Sequence, residues 1–163
     1  MMYYLDKLES LKDVFGTVNI SLQLDGLVVD QHIYPIVDDV IILLNPAQYP
    51  NSLEKRIEGR DNNPLGVVDF AEDIQFTFGE EWRRFPDILP EHRREFSAYF
   101  DLVDISALKE SRVCDLGCGI GRWSYFLKDS CRELILVDFS EAIFTARRNL
   151  RDCNSAIFFM GDL

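Results

Sequence analysis

The stretch that most constrains the fold is the last third of the chain. From residue 112 onward short apolar runs alternate with amphipathic stretches, in the order RVCDL, IGRWSYFLKD, ELILVDF, SEAIFTARRNLRD and SAIFFM. The apolar runs are five to seven residues long, so they read as buried strands, and the stretches between them read as helices. Trp123, Phe126 and Leu127 share one face of the first helix, and Ile143, Arg147 and Leu150 line one side of the second, with Ser140 as its N-cap. Strand–helix–strand order implies parallel strands joined by right-handed crossovers. A further helix is expected upstream, where Phe96, Tyr99, Phe100 and Val103 recur at helical spacing. The segment from about residue 91 is therefore expected to be α/β.

The first of these strands opens into DLGCGIG. Glycine reaches positive φ without steric cost and lets a ligand approach the backbone. The helix behind it presents unpaired N–H groups at its first turn, and ligands of open parallel sheets bind at the C-terminal ends of the strands. A dinucleotide fingerprint needs GxGxxG, but Arg122 stands where its third glycine belongs. A P-loop would end in GK followed by Ser or Thr, and that ending is absent.

DLGCGIG resembles the first motif of the class I S-adenosylmethionine-dependent methyltransferases, an acid, any residue, then GxGxG. LILVDFS resembles the second motif, a strand ending in an acid, and FFMGDL the third, a strand followed by an aspartate. The resemblance implies S-adenosyl-L-methionine as cofactor. It implies that Asp115 sits near the cationic amino-acid end, while Gly117, Gly119 and Gly121 let the chain wrap methionine and ribose. Cys118 is then a small residue in a tight turn. Asp138 accepts from both ribose hydroxyls, and Phe139 lies against the adenine edge. Asp162 accepts from the adenine amino group, and the Leu163 N–H reaches a ring nitrogen. Plainer readings stand beside these. Asp138 and Asp162 also suit turn residues, Trp123 suits packing of a helix on the sheet, and Tyr99 and Trp82 suit core or arm contacts. His32 and His92 are isolated.

The family's sheet runs 3-2-1-4-5-7-6, and this chain supplies the first three strands. The resemblance thus implies a partial Rossmann-like fold, parallel strands in the order 3-2-1 with flanking helices. The chain is expected to be either a truncated form or a short one completed by a partner. Lacking a fourth strand, RVCDL would offer an unpaired apolar edge, so a homo-oligomer or domain swap through that strand is expected.

Residues 1–50 read as a small β-rich module, because VNISLQLDGLVV and VIILL are strand-like runs punctuated by Asp-Gly and Pro. GLVVDQHIYPIVDDVIILLNPAQ is similar to the end of a small zinc-ribbon-like domain, here without its metal-binding cysteines, since none precedes Cys114. No metal site is expected. Residues 51–90 read as a linker that becomes an arm, whose aromatics Phe76, Phe78, Trp82 and Phe85 should pack on a neighbour or cover a pocket. The stretch beginning FGEEWRRF is similar to the lead-in of many fused bacterial methyltransferases.

Charge and cysteines bound the partners. The chain carries 17 Lys and Arg against 28 Asp and Glu, a net −11. Such a surface repels phosphate backbones and anionic lipid, so neither nucleic acid nor a membrane is expected as partner. Four cysteines without a CxxC pair, and no signal-peptide pattern at the start, suit reduced thiols in the cytoplasm. The expected function is methyl transfer to a small-molecule acceptor, with this chain carrying the cofactor-binding part and too little of the fold to act alone. The competing expectation is a non-catalytic scaffold or partner subunit. No catalytic base can be named from these residues.

Overall fold

A computed structural model describes residues 2–24, 26–58 and 84–162 of the chain. Phe76, Phe78, Trp82 and Leu163, assigned above to the arm and the cofactor site, lie outside the described residues.

The fold is mixed α/β. Among the described residues its main sheet has five strands, in the order β4-β5-β8-β7-β6. β6 (Arg112–Leu116), β7 (Glu133–Asp138) and β8 (Ala156–Met160) are the three strands expected from the apolar runs. They are parallel, with Cys114 opposite Ile135 and Leu136 opposite Phe158. β4 (Ile36–Val37) and β5 (Val40–Ile42) extend the sheet beyond β8. β5 runs parallel to β8, and β4 returns antiparallel to β5. The last strands of the segment read as a separate β-rich module thus belong to the main sheet. The turn between them is Asp38-Asp39, both at positive φ (47° and 63°), the backbone twist that a two-residue hairpin needs.

Alternation along the central strands divides the core into two layers. Leu134, Leu136, Ala156, Phe158 and Met160 face one way and meet Leu53, Ile143, Ala146 and Leu150. These come from α2 (Asn51–Glu58) and from α5 (Ala142–Asn149) and its C-cap residue Leu150. Ile135, Ile157 and Phe159 face the other way and meet Tyr4, Leu11, Ile20, Leu27 and Val29. That second face is covered by a 3-10 turn (Met2–Lys7), α1 (Leu8–Phe15) and a three-stranded sheet of β1 (Ile20–Gln23), β2 (Gly26–Val29) and β3 (His32–Tyr34). In a sheet whose crossovers put helices on one face, the other face needs cover, and the N-terminal residues supply it.

Several sequence expectations change. Residues 2–15 are helical rather than part of a β-rich module, because Tyr4, Leu8 and Leu11 fall on one helical face. The helix stops at Gly16, whose left-handed backbone returns an N–H to the Lys12 carbonyl. Residues 51–58, read as linker, form α2. The helix built on Phe96 is α3 (His92–Tyr99) and does not reach Val103, because Asp104 caps a following 3-10 turn by accepting from the Ser106 N–H. The run IGRWSYFLKD contributes only the single turn α4 (Ser124–Leu127). RVCDL pairs with β7 alone among the described residues, the open edge expected of it, but it is only partly buried, with Leu116 60% exposed. Among the described residues no helix is long and apolar enough to cross a membrane.

Candidate functional site

The candidate site lies where β6, β7 and β8 end together. Gly117, Gly119 and Gly121 all adopt positive φ (73°, 54° and 72°), so the loop alternates into a region closed to most side chains. The carbonyl of Val137 holds its start, accepting from the N–H groups of Gly117 (2.9 Å) and Cys118 (3.1 Å). Gly121 turns the chain into α4 against α5, where an added Cβ would stand 2.7 Å from Leu150 Cδ1. Above Gly117 an added Cβ would meet nothing within 4 Å, so the loop presents open backbone there.

Asp138, at the end of β7, is the hub. It is 8% exposed. Its Oδ2 accepts from the Gly119 N–H at 2.7 Å, and its Oδ1 accepts from the Ser140 N–H (2.8 Å) and hydroxyl (2.7 Å). The Asp138 carbonyl accepts from the Gly161 N–H at 3.1 Å, tying in the end of β8. The Ser140 hydroxyl then accepts from Ala142 N at 3.3 Å, although the N-cap position itself falls on Glu141 rather than on Ser140. A carboxylate has about four lone-pair positions. Three are taken here, which leaves room for one more donor at Oδ2.

Asp115 lies on the other side of the loop, and its Oδ2 accepts from the Ser124 hydroxyl at 2.6 Å. Burial pushes its carboxyl above the ordinary range, the Ser124 hydroxyl pulls it back, and the negative charge of Asp138 adds to the rise. Cys118 is buried, and burial, together with Asp138 and Asp115, holds its thiol well above the usual value. It stays protonated and packs as a small apolar residue. No lysine or arginine pairs with Asp115 or Asp138 among the described residues. Arg122, at the loop's exit, instead lies over the Trp123 ring (4.4 Å) and 3.7 Å from Glu95.

No protein-family model matches the chain, and no curated protein matches it. Among solved structures it is similar to phosphoethanolamine N-methyltransferase 1 of Haemonchus contortus in complex with phosphoethanolamine and S-adenosylhomocysteine. That match has 20% identity and a TM-score of 0.47, and covers 58% of this chain and 22% of that one. It is also similar to magnesium protoporphyrin IX methyltransferase from Synechocystis PCC 6803 with bound SAH, at 17% identity and a TM-score of 0.33, covering 61% of this chain and 42% of that one. The chain spans less than half the length of either protein.

The residues singled out from the sequence fall into two groups. Asp115, Gly117, Cys118, Gly119, Gly121 and Asp138 converge on one loop. Phe139 is half-buried and packs against the apolar layer under α5. Asp162 is exposed beyond β8, with Gln48 Nε2 at 3.5 Å from its carboxylate. Trp123 packs among Phe96, Tyr99 and Phe100 rather than on the sheet. Sequence reasoning missed Ser124. Its link to Asp115 spans a loop of three left-handed residues, and no spacing rule carries across such a loop. Among the described residues no group of histidine, cysteine or carboxylate side chains could hold a metal ion.

Proposed function

We propose that this chain is the cofactor-binding part of an S-adenosylmethionine-dependent methyltransferase that acts on a small-molecule acceptor. One observation carries the reading: two buried or half-buried carboxylates flank a glycine loop, and no basic side chain among the described residues neutralises them. A pyrophosphate brought to that loop would meet two like charges, whereas a cation would meet two opposite ones in a partly desolvated setting. S-adenosylmethionine carries a sulfonium and an ammonium, so its charge fits this donor set. When bound, it supplies a methyl carbon to an acceptor nucleophile, the new bond forming as the carbon–sulfur bond breaks and leaves its electron pair on sulfur.

The chain's own part is to bind and orient. Asp115 keeps Oδ1 for a cationic group, while Ser124 fixes its Oδ2. Open backbone at Gly117 allows close approach, and the remaining acceptor position of Asp138 takes one ribose hydroxyl. Asp162 and Phe139 are assigned to the adenine end. Catalysis of this kind draws mainly on proximity and alignment. Four free thiols support a reducing, cytoplasmic setting for the protein.

A second reading has its own observation. Asp138 already receives three internal hydrogen bonds, which suits a loop braced for structure alone in a non-catalytic partner subunit. Calorimetric titration separates the two. Saturable binding of S-adenosylhomocysteine, none of NADH, and loss of the former in Asp138→Ala support the methyltransferase reading. A folded chain that binds no S-adenosylhomocysteine supports the scaffold.

A further inference from the structure

A second concave site adjoins the glycine loop on its exit side. Residues 84–92 arch beside Ile120 and Arg122 and enclose a cavity of about 450 Å³, within the size range of small-molecule pockets. Its walls are held together by one side chain. The Asn149 amide donates to the Pro86 carbonyl on the arm and to the Ile120 carbonyl on the loop, both at 3.0 Å. Arm, loop and α5 are thus pinned at one point, and the cavity exists before any ligand arrives.

Its lining has two characters. Phe85 and Leu89 form an apolar wall with Ile120, and they are 68% and 45% exposed. Large side chains left facing water around a concavity mark a surface that awaits a partner. The polar groups are mostly donors. Arg84 is exposed and has no carboxylate partner among the described residues. Arg122 is held by ring stacking and only a loose 3.7 Å pairing with Glu95, so its fork remains available. His92 Nδ1 accepts from the Leu89 N–H at 3.1 Å, so the neutral ring carries its proton on Nε2 and is a donor there. Asp87 is the one carboxylate among the described lining residues. Among the described lining residues two guanidiniums and an imidazole stand against one acid, in a chain of net charge −11.

We infer that this cavity is the acceptor pocket and that it takes a small anionic molecule, a carboxylate on an apolar body. The body lies on Phe85, Leu89 and Ile120, and the carboxylate meets the Arg84 and Arg122 guanidiniums, whose planar donor pairs match it. Ile120 sits between Gly119 and Gly121, so the pocket shares a wall with the cofactor loop. This inference rests on the methyltransferase reading for its role as acceptor site. The chemistry of the pocket is read from its own residues.

The test uses the unmodified chain and three ligands of one shape: benzoate, benzyl alcohol and benzylamine. Each is titrated calorimetrically with and without S-adenosylhomocysteine. Benzoate is expected to bind at least about tenfold tighter than the other two, which is about 1.4 kcal/mol. It should bind alongside S-adenosylhomocysteine, and it should weaken at least about tenfold in Arg84→Gln/Arg122→Gln. Equal binding of the three ligands overturns the inference. So does competition between benzoate and S-adenosylhomocysteine, which would make the cavity part of the cofactor site. Failure of S-adenosylhomocysteine to bind a folded chain fells the cofactor reading alone, because the selectivity among the three ligands is measured independently of it.

Discussion

Asp138 links three strand ends through one carboxylate and one carbonyl. Removing that carboxylate strands a Gly119 N–H and two Ser140 donors in a buried place, and hydrogen bonds to a charged acceptor contribute about 1.5–3 kcal/mol each. Asp138→Ala is therefore expected to lower stability by about 3 kcal/mol in urea unfolding and to abolish S-adenosylhomocysteine binding. An unchanged midpoint would show that the carboxylate does not hold the loop. Asp115 makes a pH prediction. Its carboxyl is raised by burial, so in the window above 3.8 the folded chain binds more protons than the unfolded one. Its contribution to stability is full below that window and is lost as pH rises through the raised value. A bound cation favours the ionised form. Affinity for S-adenosylmethionine should rise with pH across this window, more steeply than affinity for S-adenosylhomocysteine, which lacks the sulfonium. Asp115→Asn should flatten the difference. Both acids were legible in the sequence because each closes an apolar run. Their partners were not, because the Gly119 and Ser124 donors reach them only through the path of the loop.

At the level of elements, the glycines separate backbone strain from packing. Gly117 and Gly121 share nearly the same φ, but only at Gly121 would a Cβ collide, with Leu150 and Ala146. A left-handed backbone costs an ordinary residue about 1–2 kcal/mol, and overpacking adds about 1–3 kcal/mol. Thermal melts should show Gly121→Ala losing roughly twice what Gly117→Ala loses. Equal losses would mean that α5 yields freely. Strands β6, β7 and β8 could be read because each is a continuous apolar run between turn residues. The helix at residues 2–15 escaped notice because its tyrosine pair favours strands locally, and tertiary contact overrides that preference. Tyr4 shows how. It is fully buried, and its hydroxyl donates to the Asp39 carbonyl at 2.6 Å. Tyr4→Phe removes that bond and the one its hydroxyl accepts from the Phe158 N–H at 3.3 Å, and should cost about 1–2 kcal/mol by chemical denaturation.

At the level of the whole molecule, the sheet ends on one side in the two-residue strand β4 and on the other in β6. β4 and β5 finish it beyond β8. At β6 the backbone groups of one edge have no partner strand among the described residues. An exposed strand of this kind templates pairing with another chain. Self-association through β6, by edge pairing or by exchange of a segment, is expected at high concentration. Light scattering should detect it, and Cys114→Lys, which sets a charge on that edge, should disperse it. A wild-type chain that stays monomeric at high concentration would refute the expectation. The open edge could be foreseen from a run of three parallel strands. The addition of β5 could not, because pairing between residues so far apart in the chain leaves no local pattern to read.

That pairing also sets a timetable. Ile41 waits for Phe159 and Ile42 for Met160, while Tyr3 waits for Ala156. During synthesis β5 therefore leaves the ribosome with one flank bare, and its native surroundings exist only once β8 has emerged. Contacts so distant in sequence form slowly, so the pairing of β5 with β8 is expected to come late in folding.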